Sequence, residues 1–267
     1  MIGIDYADLD GNHIAAPAAV AGGARFVGMR GAYGYGTTAQ VDPTPARDAT
    51  SWRSAGAQVF AYLCINYTCL PEIQADALAA SYTRQGSDLP VALDLEVNAK
   101  QPGITPATRV AWAERAVARL QQHYGAAGVW IYTSLEQWLD NFGDLDSTML
   151  GALPLWLKTP YPWNPRNIPH VADTGPLGEL PRPWRRAGSP GAWAQQFQGD
   201  AIGFPGMSST VDISRFLPAQ AATNDPRWLW VTSRFFSTAP NLQTWQSLRG
   251  LTPDGVVGPA TLAQFCR

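Results

Sequence analysis

Two carboxylates, Asp94 and Glu96, interrupt the aliphatic run Leu89-Pro90-Val91-Ala92-Leu93-Asp94-Leu95-Glu96-Val97. The run reads as a buried strand. Side chains alternate along a strand, so the two acids share one face while Leu93, Leu95 and Val97 share the other. Burying a carboxylate is costly unless it is paired or hydrogen-bonded. Two of them, about 7 Å apart at Cα by strand rise, fit a reaction that needs an acid and a second carboxylate. Glycoside hydrolysis is the commonest chemistry with that need. Two further strand-like runs carry an acid beside aliphatics: Asp5 follows Ile4, and Asp212 lies between Val211 and Ile213. One such acid alone reads as a cap or a structural hydrogen-bonder. Four of them on three strands read as a site.

The elements that must position these acids alternate. Strands are predicted at Ile2–Tyr6, Ala24–Met29, Gln58–Ile65, Pro90–Val97, Val129–Thr133, Leu155–Lys158, Ala192–Phe197 and Val211–Ile213. Helical patterns lie between them near Pro45–Ala55, Pro71–Arg84, Thr105–Tyr124 and Leu135–Phe142. The third is the clearest: Thr105-Pro106 supplies a cap and a first-turn proline, and Val110, Trp112, Val117 and Leu120 form an apolar stripe. Strands alternating with helices predict a parallel sheet, and about eight of them over some 215 residues favour a (β/α)8-type barrel. After Phe142 the intervening helices fade, so the second half is expected to be helix-poor, with a long loop at Pro160–Gly191. In such a barrel the catalytic groups sit at the C-terminal strand ends. The first and last strands are neighbours, which would bring Asp5 beside Asp212.

The bulk numbers exclude other classes. The chain has 267 residues, 46% of them hydrophobic and 15% charged, which is globular rather than disordered. A net charge of −2 argues against nucleic acid or an anionic membrane surface as partner. No apolar run approaches the roughly 20 residues that span a bilayer. His13, His123 and His170 share no metal-ligand spacing, and no metal or cofactor is expected. Cys64, Cys69 and Cys266 form no disulfide framework; Cys64 and Cys69 could pair, but small buried residues or a free thiol is the expected reading. A monomer is expected.

The ordered motifs Gly3-Ile4-Asp5, Leu93-Asp94-Leu95-Glu96, Ile131-Tyr132-Thr133, Pro154-Leu155-Trp156, Trp193 with Gln196-Phe197, and Val211-Asp212 resemble those of glycoside hydrolase family 25, the lysozyme-type muramidases. The resemblance covers about residues 1–217. It implies a barrel that cleaves the β-1,4 bond between N-acetylmuramic acid and N-acetylglucosamine in bacterial peptidoglycan. It implies Glu96 as proton donor, with Asp94 stabilising an intermediate formed by the substrate's own 2-acetamido group. Asp5 and Asp212 would orient the pair and the substrate. Two departures stand out: Tyr62-Leu63-Cys64 replaces a frequent Tyr-His-Phe, and Asp212-Ile213-Ser214 replaces Asp-x-Asp or Asp-x-Asn. A non-catalytic glycan-binding barrel and a glucosaminidase or chitinase-like hydrolase are the alternatives. The latter lacks support, since residues 89–93 do not continue the D-x-x-D-x-D-x-E pattern of chitinases.

Aromatic rings suit sugar faces. Tyr62 and Tyr132 are the strongest candidates for substrate binding because they match motif positions near the acids; Trp156 and Trp193 are further candidates. Tyr33, Tyr35 and Tyr161 also fall near predicted strand ends. Asp42 matches a recurrent family aspartate, or caps the helix that follows. Arg182, Arg185 and Arg186 could touch anionic wall groups, although a solvated loop is the expected reading.

The barrel is assigned to residues 1–218, a linker to 219–225 and a small helical module to 226–267. Leu242-Gln243 through Asp254-Gly255, Gly258-Pro259 and Thr261 resembles the core of a peptidoglycan-binding module, with Trp228, Trp230, Phe235 and Phe236 docking it or completing its core. A helical brace without a ligand is the alternative. The N-terminus, Met1-Ile2-Gly3-Ile4-Asp5, lacks the features of a secretory signal. The expected setting is therefore the cell wall, reached from a host cytoplasm as a phage lysin or after loss of a signal.

Overall fold

The computed structural model describes residues 2–7, 13–83, 88–96, 103–160, 166–167 and 177–217. The strands are β1 (Ile2–Tyr6), β2 (Ala24–Tyr35), β3 (Thr38–Val41), β4 (Gln58–Cys64), β5 (Val91–Asp94), β6 (Val129–Ser134), β7 (Leu155–Lys158), β8 (Arg166–Asn167), β9 (Ala192–Ile202) and β10 (Val211–Phe216). The helices are α1 (Ala16–Ala21), α2 (Thr44–Ser54), α3 (Pro71–Ser81), α4 (Pro106–Tyr124), α5 (Leu135–Phe142) and α6 (Thr148–Gly151). Because β1 pairs with both β2 and β10, eight strands close in the order β1-β2-β4-β5-β6-β7-β9-β10. β3 folds back on β2 as a hairpin, and β8 adds to β9. The barrel expected from the alternation is present, and its second half is helix-poor.

The expectation of an all-parallel sheet needs correction. β10 runs antiparallel to both β9 and β1. β9 extends to Ile202, so the connection to β10 is residues 203–210 only. A parallel crossover needs a dozen residues or more, whereas an antiparallel return does not. β5 is also shorter than the predicted Pro90–Val97 and stops at Asp94; Val97 lies outside the described residues.

Helix ends follow local chemistry. Thr105 accepts a hydrogen bond from the Thr108 amide at the start of α4, and Gly125 (φ 85°) ends it. Ser134, the last residue of β6, caps α5 through the Gln137 amide at 3.0 Å. The sequence reading missed α1, β3 and α6, all short; α1 and α6 are too brief to show a helical period.

Strand alternation divides the core in two. Val27, Val59, Leu63, Leu93, Leu95, Ile131, Leu155 and Leu157 face outward, in the layer shared with the helices. Phe26, Phe60, Ala92, Trp130, Trp156 and Phe216 fill the barrel interior. These rings pack in tilted and edge-on contacts, with Phe60 5.1 Å from Trp130 and 5.5 Å from Trp156. Such filling leaves no room on β1 and β2. A Cβ on Gly3 would lie 2.1 Å from the Phe26 ring, and one on Gly28 would lie 2.7 Å from Phe60 and 3.0 Å from Asp5 Cβ.

Candidate active site

The inward-facing set continues upward past the aromatic plug and turns polar. On β4, Tyr62 and Cys64 follow Phe60 at two-residue steps. On β5, Asp94 follows Ala92; on β6, Tyr132 follows Trp130; on β7, Lys158 follows Trp156. Register places Cys64, Asp94 and Tyr132 side by side across β4, β5 and β6. Asp5, near the end of β1, is the register partner of Asp212 on β10. Because β10 is antiparallel, Asp212 stands near its start, yet at the barrel end where the parallel strands finish. The four acids thus gather at the C-terminal mouth by a different route from the one expected.

Glu96 lies two residues beyond Asp94, the last residue of β5. Its backbone amide donates to Asp94 Oδ1 at 2.8 Å, turning the chain at the barrel rim. Its carboxylate accepts from Lys158 Nζ, 2.7 Å from Oε1. Asp94 is buried, and a hydrogen bond with Cys64 supports its ionised form. Burial first, and then the charge of Glu96, pushes the Asp94 carboxyl up to about 7. Burial also pushes Asp212 up to about 7, against the stabilising pull of the Asp200 amide. The Cys64 thiol is pushed up by burial and by Asp94, so it stays protonated.

A chain of side chains links the far wall. The Tyr132 hydroxyl donates to Gln196 Oε1, and Gln196 Nε2 donates to Asp212 Oδ2 at 2.6 Å. The Asp200 amide donates to Asp212 Oδ1 at 2.9 Å, from a left-handed backbone position (φ 51°) within β9, where the register with β10 shifts. Asp212 is therefore fixed through both oxygens. Tyr62 donates to the Tyr6 carbonyl at 3.3 Å and, with Asp5, Arg30, Asp200 and Asp212, lines a cavity of about 170 Å³. A second cavity, about 520 Å³, opens beside Lys158 between the ends of β6 and β7, with Glu136, Thr159 and Glu179 among its lining.

The other expected site residues divide. Tyr62 and Tyr132 lie at the mouth, although Tyr132 is 6% exposed and already bonded to Gln196. Trp156 (2% exposed) and Trp193 (0%) are core residues. Trp156 donates to Ser214 Oγ at 2.9 Å. Neither ring offers a free face to a sugar, because the inward position places it within the plug. Asp42 is buried, accepts from the Thr44 amide at 3.0 Å just before α2, and pairs with Arg30 at 2.9 Å. That is an Asx turn one residue before Pro43, the N-cap of α2, rather than a side-chain cap. Tyr33 lies under the Arg30 guanidinium, Tyr35 is exposed, and Tyr161 lies outside the described residues.

Arg185 pairs with Asp144 and Glu179, and Arg186 with Asp146, so these two loop cations are locally matched, while Arg182 donates to the Asp144 carbonyl at 3.5 Å. Cys64 and Cys69 are free thiols. Residues 218–267, with the linker, the helical module and Cys266, lie outside the described residues.

Lys158, Gln196 and Asp200 were missed as site residues. Lys158 carried a signal: a lone lysine at the end of Leu155-Trp156-Leu157 shares the face of Trp156. Among the described residues no His, Cys, Asp and Glu group is arranged to hold a metal ion. What the mouth can do is keep a buried carboxyl protonated near neutral pH, as at Asp94 and Asp212, which is the kind of setting that general acid catalysis uses.

The family model for glycosyl hydrolases family 25 matches residues 13–175, a span that includes Asp94 and Glu96. Among solved structures, a bacterial lysozyme from Streptomyces coelicolor is similar with a TM-score of 0.64 at 20% identity, covering 89% of this chain and 98% of that one. A muramidase from Trichobolus zukalii gives 0.63 at 21% identity, covering 88% and 99%. The catalytic domain of an endolysin from bacteriophage P40 of Listeria monocytogenes gives 0.50 at 13% identity, covering 88% and 97%. At these identities the structures establish a shared barrel fold. No curated protein matches the chain by sequence.

Proposed function

The chain belongs to glycosyl hydrolases family 25, and we propose that this glycoside hydrolase is a muramidase, cutting the β-1,4 bond between N-acetylmuramic acid and N-acetylglucosamine in bacterial peptidoglycan. The observation that supports this most is the Asp94–Glu96 pair at the barrel mouth, held by the Glu96 amide bond to Asp94, with Asp5 and Asp212 paired on the closing seam at the same end of the barrel.

Glu96 gives its proton to the leaving glycosidic oxygen. Asp94, ionised at that moment, stabilises the positive charge that develops as the substrate's 2-acetamido group closes on the anomeric carbon. A substrate-supplied nucleophile relieves the protein of the two-carboxylate displacement scheme. Asp212, bonded by Gln196 and Asp200, and Asp5 beside it shape the pocket that receives the sugar. Tyr62 contributes a ring at the same wall.

The fold of the compared lysozymes and of the phage endolysin domain accords with action at the cell wall. The finer role is an endolysin's, with residues 226–267 as a wall-binding module. Mass analysis of digested peptidoglycan tests the bond assignment. New reducing ends on muramic acid are expected; new ends on glucosamine would replace the reading with a glucosaminidase.

A further inference from the structure

β2 runs on past the end of β4. Its last partner there is Cys64, opposite Tyr33, whereas Gly34 and Tyr35 pair with Ala39 and Thr38 of β3. The β2–β3 hairpin therefore projects beyond the barrel mouth, next to Cys64 and Tyr62. In the closed ring β2 and β7 stand opposite each other with β5 midway. The hairpin and the 520 Å³ cavity beside β7 thus flank Asp94 and Glu96 from opposite sides.

One face of the hairpin is closed. A Cβ on Gly34 would lie 2.4 Å from Asn66 Cβ and from Gln74 Oε1. Asn66 Nδ2 donates to the Gly34 carbonyl at 3.3 Å, and the Thr68 hydroxyl donates to the Gly36 carbonyl. The buried Gln74 side chain fixes this segment in turn. It accepts from the Asn66 amide at 2.8 Å and donates to the Asn66 and Cys69 carbonyls at 2.7 and 2.6 Å. A tip anchored in this way can meet a ligand without the ordering cost of a free loop.

The other face is open. Strand alternation and antiparallel pairing place Tyr33, Tyr35, Thr38 and Gln40 on it. The Arg30 guanidinium lies 4.7 Å from the Tyr33 ring centre, and Arg30 also lines the 170 Å³ cavity with Asp5, Tyr62 and Asp212. The face is therefore continuous with the pocket assigned to the sugar. Tyr35 is 70% exposed and stands about 16 Å along the strand from Arg30, farther than one sugar reaches. Gln40 Nε2 donates to Thr38 Oγ1 at 3.3 Å, which sets the amide beside the Tyr35 pair position. Two phenol rings, a hydroxyl and an amide carry no charge. They match the apolar faces, hydroxyls and acetamido groups of a glycan.

We propose, resting on the reading of the substrate as peptidoglycan, that the Tyr33–Tyr35 face of the hairpin is an accessory binding site for the glycan strand beyond the sugar held in the pocket. Tyr35 stacks on a sugar ring, and Thr38 and Gln40 hydrogen-bond to its polar groups. The site makes the protein prefer long strands over short fragments.

The test is calorimetric binding to full-length Glu96→Gln protein, with and without Tyr35→Ala. The probes are peptide-free strands of alternating N-acetylglucosamine and N-acetylmuramic acid, and one disaccharide of the same composition. The unaltered hairpin is expected to bind strands more tightly than disaccharide. Tyr35→Ala is expected to weaken strand binding about three- to tenfold and so to reduce that preference. Tyr35→Trp, which keeps an aromatic face, is expected to restore it. A strand preference unchanged by Tyr35→Ala would overturn the proposal. So would a loss seen only with peptide-bearing strands, which would make the face a peptide reader. Reducing-end release by wild-type protein on the same strands reports on the hydrolase reading separately, because the affinities do not depend on cleavage.

Discussion

Asp5 and Asp212 face each other as register partners across the antiparallel seam that closes the barrel. Two acids on adjacent strands are normally an electrostatic liability. Here one of them is held by the Gln196 amide and the Asp200 backbone, and burial keeps its carboxyl near 7. The seam therefore carries less negative charge than two free carboxylates would. Asp212→Asn keeps the shape but replaces one acceptor with a donor facing Gln196 Nε2. Kinetics on purified cell walls should show a fall in kcat of about 10- to 100-fold, from misplacement of the wall of the sugar pocket.

Tyr132 bridges β6 to that seam through Gln196. Tyr132→Phe removes the hydroxyl and leaves Gln196 Oε1 buried without its donor. Denaturant unfolding should show a loss of about 1–3 kcal/mol. Thermal stability equal to wild type would mean that the bridge is not formed.

Gly28 touches both the plug and the site. A Cβ there meets Phe60 at 2.7 Å and Asp5 Cβ at 3.0 Å. Gly28→Ala should cost about 1–3 kcal/mol by overpacking and lower activity as well, since the strand that yields carries Asp5. Gly36→Ala is the stability control: at φ 56° it is strained, but no atom lies within 4 Å of its Cβ position.

Stability should depend on pH through Asp94. Its carboxyl sits near 7 in the folded chain against about 4 in an unfolded one, so folding binds the proton more tightly. The stability linked to it is fully present below about pH 4 and is lost as pH rises through about 7. Asp94→Asn has no such loss. It should match wild type near pH 4 and exceed it at pH 8 by an amount on the order of 1–3 kcal/mol, read from denaturant midpoints at the two pH values. It should also be severely impaired in catalysis.

The barrel and its acids were legible because both leave local traces. An aliphatic run broken by Asp94 and Glu96 says what the strand buries and where it turns polar. What was not legible depends on closure. The Lys158–Glu96 bond joins β7 to the end of β5 with β6 between them, and no spacing along the chain encodes it. The reversal of β10 hinged on how far β9 runs, which fixes the length of the connection. Trp156 and Trp193 read as sugar platforms because strand ends and barrel interiors use the same residue types. Only the packing of Phe60, Trp130 and Phe216 around the barrel axis shows these rings to be plug. Asp42 turns the chain into α2 through the Thr44 amide and pairs with Arg30, while Pro43 holds the cap position, an arrangement that spacing along the chain does not encode.

The central claim is that Glu96 carries the proton that breaks the glycosidic bond. The direct measurement is the rate of reducing-end release from purified peptidoglycan by wild-type and Glu96→Gln protein, both confirmed folded by circular dichroism. Glutamine preserves size and can still accept from Lys158, but it cannot give up a proton. A loss of about 100- to 10,000-fold is predicted. Release by Glu96→Gln at the wild-type rate would contradict the account.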